Sequence, residues 1–259
     1  MIKLTAKDRP EIYDYLRLNP YLHLYEIGDL DDRLQPFISW YGIRKEGSLK
    51  AVICVYEGGE IPTLMAFSDI YSQELYELLI NVIEFMPDRF MAHLSPCLEN
   101  TVERFSTISK QQYYRMCLLE TKNIKQFNTE KAVELDKKDI SALQDLYSTS
   151  YQENWFEPDK ININKYFGIY DKNILVAAAG THSYSEKYSA AALGNIATRI
   201  DYRGRGLGAS VTAALSESLL KEKLKIGLNV KTNNKTAVSC YLKIGYEIIT
   251  DFSFQCLEK

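Results

Sequence analysis

Seven residues carry most of the constraint on this chain. Arg203-Gly204-Arg205-Gly206-Leu207-Gly208-Ala209 places three glycines in five positions. A run with apolar Leu207, Val211, Ala214, Leu215 and Leu219 follows at the 3.6-residue period of a helix. Without Cβ atoms in the way, successive backbone N–H groups converge. Set at a helix N-terminus, such a nest attracts phosphate through its donors and the helix dipole. One charge at an exposed dipole gains only about 0.3–1 kcal/mol. Several charge-assisted hydrogen bonds, each worth roughly 1.5–3 kcal/mol, must supply most of the grip. Arg203 and Arg205 add mobile positive charge at the same place.

The elements around this loop alternate. Ala132–Leu135 reads as a strand, and Asp136 can cap a helix carrying Leu143, Leu146 and Tyr147. Three apolar runs follow Pro158: Tyr166–Tyr170, Ile174–Tyr184 and Ala190–Ile200, with Asp171-Lys172-Asn173 as a hairpin turn. After the loop and its helix come a strand at Leu224–Val230 and a short helix. Asn233 or Asn234 is the expected N-cap and Gly245 the stop signal. A strand pair, Tyr246–Ile249 and Phe252–Leu257, closes the pattern.

Residues 1–120 repeat this order more faintly. Strands are expected at Ile2–Leu4, Ser39–Ile43, Leu49–Tyr56, Thr63–Phe67, Phe90–His93 and Tyr113–Leu119. Helices are expected at Arg9–Leu18, Tyr21–Leu30, Tyr71–Phe85 and Leu98–Ile108. The whole reads as mixed α/β in two similar modules. Residues 1–120 form a degenerate first module, 121–130 a polar linker and 131–259 the second module.

Composition narrows the class. Charged residues make up 25% and hydrophobic residues 46% of 259, which excludes disorder and collagen-like order. The net charge of −3 gives no global basic field, so no nucleic-acid partner is expected. Residues 1–120 hold 12 basic and 18 acidic side chains, leaving 19 and 16 in the rest. An anionic ligand is therefore better received by the second half. Five scattered cysteines form no CxxC pair, so no zinc ribbon or redox dithiol is encoded and no metal is expected. No apolar run approaches the roughly 20 residues that span a bilayer. The expectation is a reduced, cytoplasmic protein with no membrane partner.

Two readings of the loop fail on context. Gly204, Gly206 and Ala209 satisfy GxGxxG/A, but the polar Asp201-Tyr202-Arg203 precedes them and no carboxylate ends the next strand. A P-loop would need Gly-Lys-Ser/Thr, which is absent.

A third reading is a family resemblance. Gly194-Asn195-Ile196-Ala197-Thr198, then Arg203-Gly204-Arg205-Gly206-Leu207-Gly208, resembles the GNAT superfamily of N-acetyltransferases and its (Gln/Arg)-x-x-Gly-x-(Gly/Ala) pyrophosphate loop. A second block, from Asn234 through Ala237, Tyr241 and Gly245-Tyr246, resembles the family's Asn-x-x-Ala-x-x-x-Tyr-x-x-x-Gly-(Phe/Tyr) segment. The resemblance is good over about 131–259. Over 1–120 only the order of elements matches.

The resemblance implies two tandem GNAT-like modules and an acetyl-CoA-dependent N-acetyltransferase acting on a primary amine of a small molecule or peptide. By position, the backbone of Ile196, Ala197 and Thr198 is expected along the pantetheine arm. The backbone from Arg203 through Gly204, Arg205, Gly206, Leu207 and Gly208 to Ala209 is expected on the pyrophosphate. Asn234 is expected beside the pantetheine and Tyr241, seven residues or about two turns on, at the thioester sulfur as general acid.

The family often places a glutamate base on the fourth or fifth strand, where this chain has Ala192 and Asn229. Glu153, within Tyr151-Gln152-Glu153-Asn154-Trp155-Phe156, and His182 are the candidate bases. Tyr184 and Trp40, with that aromatic stretch, are candidates for a pocket wall. In the first module Phe67-Ser68-Asp69-Ile70-Tyr71-Ser72 stands where the glycine loop should be, so no coenzyme is expected there. Tandem architecture also suits acyltransferases that use larger acyl groups. It suits aminoacyl-tRNA-dependent transferases too, against which the intact loop argues. The missing glutamates leave open a sensor that binds acyl-CoA without catalysis.

Overall fold

The computed structural model describes residues 1–259 as a mixed α/β fold. In chain order its elements are β1 (Ile2–Leu4), α1 (Arg9–Leu16), α2 (Leu24–Gly28), β2 (Ile38–Lys45), β3 (Ser48–Tyr56) and β4 (Thr63–Ala66). Then come α3 (Gln73–Phe85), β5 (Arg89–Leu94) and β6 (Ser106–Leu118). The second half comprises β7 (Ala132–Leu135), α4 (Ile140–Ser150), β8 (Tyr166–Asp171), β9 (Ile174–Ser185) and β10 (Ala190–Thr198). It ends with α5 (Leu207–Lys221), β11 (Lys225–Lys231), α6 (Lys235–Ile244) and β12 (Tyr246–Glu258). No helix is long and apolar enough to cross a membrane.

Packing divides the chain into two compact units. The first is Met1–Arg115 with Val230–Asn233 and Ile248–Lys259; the second is Met116–Asn229 with Asn234–Glu247. Linear boundaries at 120 and 131 therefore misplace the last strand. Residues 248–259 lie with the first unit because β12 pairs antiparallel with β5 from Ser253↔Leu94 to Glu258↔Arg89. Leu257 fills the same core as Leu64, Leu78, Leu79, Phe90 and Leu94. The expected strand pair at 246–257 is one continuous strand, Tyr246–Glu258, whose second half from Ser253 on is held by this pairing.

Each unit builds the same supersecondary pattern. In the first, β1 to β4 pair antiparallel in sequence order, then α3 crosses over to make β5 parallel to β4. In the second, β7 to β10 pair antiparallel and α5 crosses over to make β11 parallel to β10. A parallel pair needs such a crossover. Helix α3 buries Leu75, Leu78, Leu79, Val82 and Ile83, the spacing its sequence predicts. Helix α4 buries Leu143, Leu146 and Tyr147 against Leu135, Tyr166 and Leu175.

Two local expectations are corrected. Leu98–Ile108 is not a helix: Pro96–Val102 forms 3-10 turns and the strand β6 begins at Ser106. Proline opens the turns, and β-branched Thr107 and Ile108 suit the extended chain that follows. The stretch 121–129 is not a bare linker, because Thr121–Gln126 is a 3-10 turn whose Ile124 is buried.

The stop signal at Gly245 is structural. Its φ of +113° is a conformation that side chains disfavour, and a Cβ there would stand 2.0 Å from the Glu120 carbonyl oxygen. The N–H groups of Leu119 and Glu120 both donate to the Gly245 carbonyl, at 3.1 and 3.0 Å. The neighbour is backbone and cannot step aside. Replacing Gly245 by alanine is expected to cost about 2–5 kcal/mol from backbone strain plus overpacking. Urea unfolding checks this against wild type.

Candidate functional site

The second unit's parallel pair is incomplete. Strand β10 runs from Ala190 to Thr198, yet it pairs with β11 only from Ala190↔Lys225 to Leu193↔Leu228. Beyond Leu193 it keeps its pairing with β9, at Gly194↔Gly180, Ala197↔Ala178 and Thr198↔Ala177. Gly194–Thr198 thus have a partner strand on one side only. In the first unit the equivalent pair is in register from Thr63↔Met91 to Ala66↔Leu94, the last residues of both strands. Peptide groups left without a ladder partner seek another donor or acceptor.

A bulge causes the parting. The β9–β10 register shifts between Gly194 and Ala197, and Asn195 there has φ of +51°. Asparagine is among the few side chains that tolerate this region. Three bonds lock it. The Tyr147 hydroxyl donates to the Asn195 carbonyl at 2.8 Å. The Asn195 Nδ2 donates to the Tyr166 hydroxyl at 3.1 Å, and the Trp155 N–H donates to Asn195 Oδ1 at 2.8 Å. Burial pushes the Tyr147 phenol well up and the Tyr166 phenol up to about 12, the latter against the opposing bond from Asn195. Both phenols stay protonated across the physiological range. Sequence reasoning named Asn195 only as a motif residue and missed this clamp. A glycine-asparagine step inside an apolar strand was the available signal.

The glycine loop has the expected shape. Gly204 and Gly206 adopt φ of +77° and +78°, and no atom lies within 4 Å of a Cβ built at either. They are therefore required by the backbone turn rather than by crowding. Gly206 is the N-cap of α5, and no side chain caps that helix. A Cβ at Gly208 would meet Thr198 Oγ1 at 3.1 Å, so the first turn of α5 rests against the end of β10. The arginines correct one expectation: their charge is tethered, not mobile. Arg203 donates to the carbonyls of Thr198 and Ser150 at 3.2 and 3.0 Å. Arg205 donates to the Asp201 carbonyl at 2.9 Å and lies over the Tyr202 ring. Both brace the turn that leads into the helix.

The first unit treats the same position differently. Ser72 caps α3 by accepting from the Leu75 N–H at 3.3 Å. The Ser68 N–H donates to Ser95 Oγ, and Asp69 accepts from Asn19. That helix start is satisfied by its own chain.

Ile196, Ala197 and Thr198 lie on the one-sided stretch of β10, leading toward the loop. Asn234 is the N-cap of α6, its Oδ1 accepting from the Ala237 N–H at 3.2 Å. Tyr241 is buried in α6 and packs tilted against Tyr246, whose hydroxyl bonds Ser216 at 2.8 Å. Glu153 is exposed on the turn after α4, and Ala192 is buried within β10.

Of the aromatic stretch, Phe156 packs on Tyr147 and Tyr166, whereas Trp155 is 62% exposed and edges onto His182. Tyr184 is buried with its hydroxyl on Glu186 and Glu222. Trp40 belongs to a cavity of about 120 Å³ in the first unit, lined also by Arg9, Asp29 and Asp31. No three His, Cys, Asp or Glu side chains converge as a metal site.

Comparison with known proteins bears on the fold. Residues 166–254, which span the bulge, the loop and Tyr241, match the family model of FR47-like proteins. The fold is that of the GNAT proteins, in tandem form. Residues that cover 99% of this GNAT-fold chain superpose on 97% of a Drosophila protein with a TM-score of 0.74 at 15% identity. A tandem GNAT protein from the clavulanic acid biosynthesis pathway aligns over 99% of this chain and 97% of its own, at TM-score 0.63 and 11% identity. An acetyltransferase from the GNAT family from Colwellia psychrerythraea aligns over 100% and 99%, at TM-score 0.61 and 14% identity. No curated protein sequence matches the chain.

The bulge makes a separable prediction. Asn195→Ala is expected to lower stability by about 2–3 kcal/mol, combining strain at positive φ with the lost side-chain bonds. Asn195→Gly should lose less, because it keeps the backbone geometry. Chemical denaturation of both variants measures the difference.

Proposed function

We propose that the second unit transfers an acetyl group from acetyl-CoA to a primary amine of a small molecule or peptide. The observation that carries this reading is the half-paired stretch Gly194–Thr198 ending at an uncapped helix with two left-handed glycines. An extended amide chain can add to a one-sided strand as a further strand does. The pantetheine arm has that chemistry, so Ile196, Ala197 and Thr198 would hold it. The backbone amides from Arg203 to Ala209 would hold the diphosphate at the start of α5.

Tyr241 would then serve as general acid to the departing thiolate. A phenol of pKa near 10 is a weaker acid than a thiol of pKa near 8.5, so transfer runs uphill in water. Tyr241 is buried, and the transfer runs only where the site raises the thiolate's proton affinity above that of the phenol. The sequence leaves the proton acceptor open between Glu153 and His182. A second reading, an acyl-CoA sensor without turnover, is favoured by one fact: Ala192 and Asn229 carry no carboxylate.

Calorimetry of the intact chain with acetyl-CoA should show one site per chain, since the first unit closes its own helix start. Thiol release against a panel of primary amines should fall by about 10²-fold or more in Tyr241→Phe, with acetyl-CoA affinity kept. Binding without thiol release from any amine would favour the sensor. No heat on addition of acetyl-CoA would end both readings.

A further inference from the structure

We infer that His182 takes the proton from the acceptor amine, an assignment that rests on the acetyl-transfer reading given above. Strand β9 carries a bulge of its own. Ser183 pairs with Ala192 and Thr181 with Leu193, which leaves His182 as the extra residue between them. Bulges of this kind re-aim a side chain and are concentrated beside active sites. Here the bulge lies next to the point where β10 leaves β11, at Leu193 and Gly194. The His182 Cβ stands 3.0 Å from where a Cβ on Gly194 would be, so the two strands carry His182 close against the one-sided stretch.

A second contact fixes the ring. Trp155 meets His182 edge-on, with ring centroids 6.5 Å apart and planes at 76°. The N–H of the same Trp155 is bonded to Asn195 Oδ1, so ring and bulge are tied together. His182 is solvent-exposed, which a buried structural histidine would not be.

The charge state suits a base. The protein packed around the imidazole lowers its pKa below the ordinary 6.5. The charged groups that reach it are Glu157, which opposes that shift, and Lys160, which adds to it. These two are ion-paired at 2.8 Å. No charged side chain comes from β10, whose residues Ala190–Thr198 are all uncharged. An imidazole at or below its ordinary value is mostly neutral at pH 7, able to accept a proton.

In the step itself the ammonium of the acceptor gives one proton to His182. The freed lone pair forms the C–N bond at the thioester carbonyl, whose π electrons move to oxygen. Collapse of that adduct restores the carbonyl and breaks the C–S bond. The thiolate takes a proton from Tyr241, and the positive nitrogen of the product returns one to the phenolate. The net release is one proton, from His182 to solvent.

The chain has three histidines, His23, His93 and His182, so histidine labelled with carbon-13 gives a readable spectrum of the wild-type protein. The His182 signal, assigned with His182→Gln, should titrate below pH 6.5 and shift on saturation with acetyl-CoA. With benzylamine as acceptor, kcat/KM should fall as the pH drops through that same midpoint. His182→Ala should lose this acid limb and about 10²-fold in rate at pH 7, and added imidazole should restore part of it. The assignment is wrong if the signal ignores acetyl-CoA while calorimetry shows binding, or if His182→Ala keeps the acid limb. Should benzylamine not react, the spectrum alone decides. If acetyl-CoA does not bind at all, the transfer reading fails first, and calorimetry shows it separately.

Discussion

A strand that keeps its shape after losing one neighbour is the constraint on which the second unit turns. Strand β10 continues past the bulge at Asn195 to Thr198 because β9 still pairs with Gly194, Ala197 and Thr198 on its other side. Its break with β11 follows from one residue, Asn195, held at positive φ by two buried phenols and one peptide N–H. An unpaired backbone edge is ordinarily a liability. Here the bulge confines it to a few residues, and the glycine turn closes it at the start of α5. The same bulge, through Trp155, touches the residue assigned as the base. The one-sided strand and the proposed proton acceptor thus both depend on one local irregularity.

The two units show how little separates an open, half-paired strand from a closed sheet. Both have a crossover helix between parallel strands, and both place the helix start after the first of them. In the first unit the pairing of β4 with β5 runs to the strand ends, and serine side chains satisfy the loop and helix start that follow. In the second, glycines at positive φ leave the helix start to its own amides. A capping serine stabilises a helix by about 1 kcal/mol. The second unit forgoes that contribution where the proposed diphosphate would sit.

What the sequence revealed depended on range. The glycine loop, the period of α5, the cap at Asn234 and the stop at Gly245 are decided by neighbours in the chain, and all are seen in the structure. The bulge at Asn195 and the extra residue at His182 are properties of the β9–β10 register, which no window of one strand contains. The last strand was misread for a similar reason. Thr250-Asp251 has turn-forming residues, but the strand runs straight through them to reach a partner, β5, some 160 positions away, which pairs with Ser253–Glu258. Likewise the arginines beside the loop look mobile in sequence, because their carbonyl partners include one at Ser150.

The membership of Ile248–Lys259 in the first unit has a consequence for biosynthesis. Ribosomes deliver residues 116–247 before the strand that β5 needs along its edge. During that interval β5 presents Phe90, Ala92 and Leu94 with one edge waiting, and exposed edges of this kind invite aggregation. Domain-by-domain folding from the N-terminus is therefore not open to this chain. Its first half is finished last, and a ribosome stalled before residue 248 would hold a nascent protein that chaperones must shield.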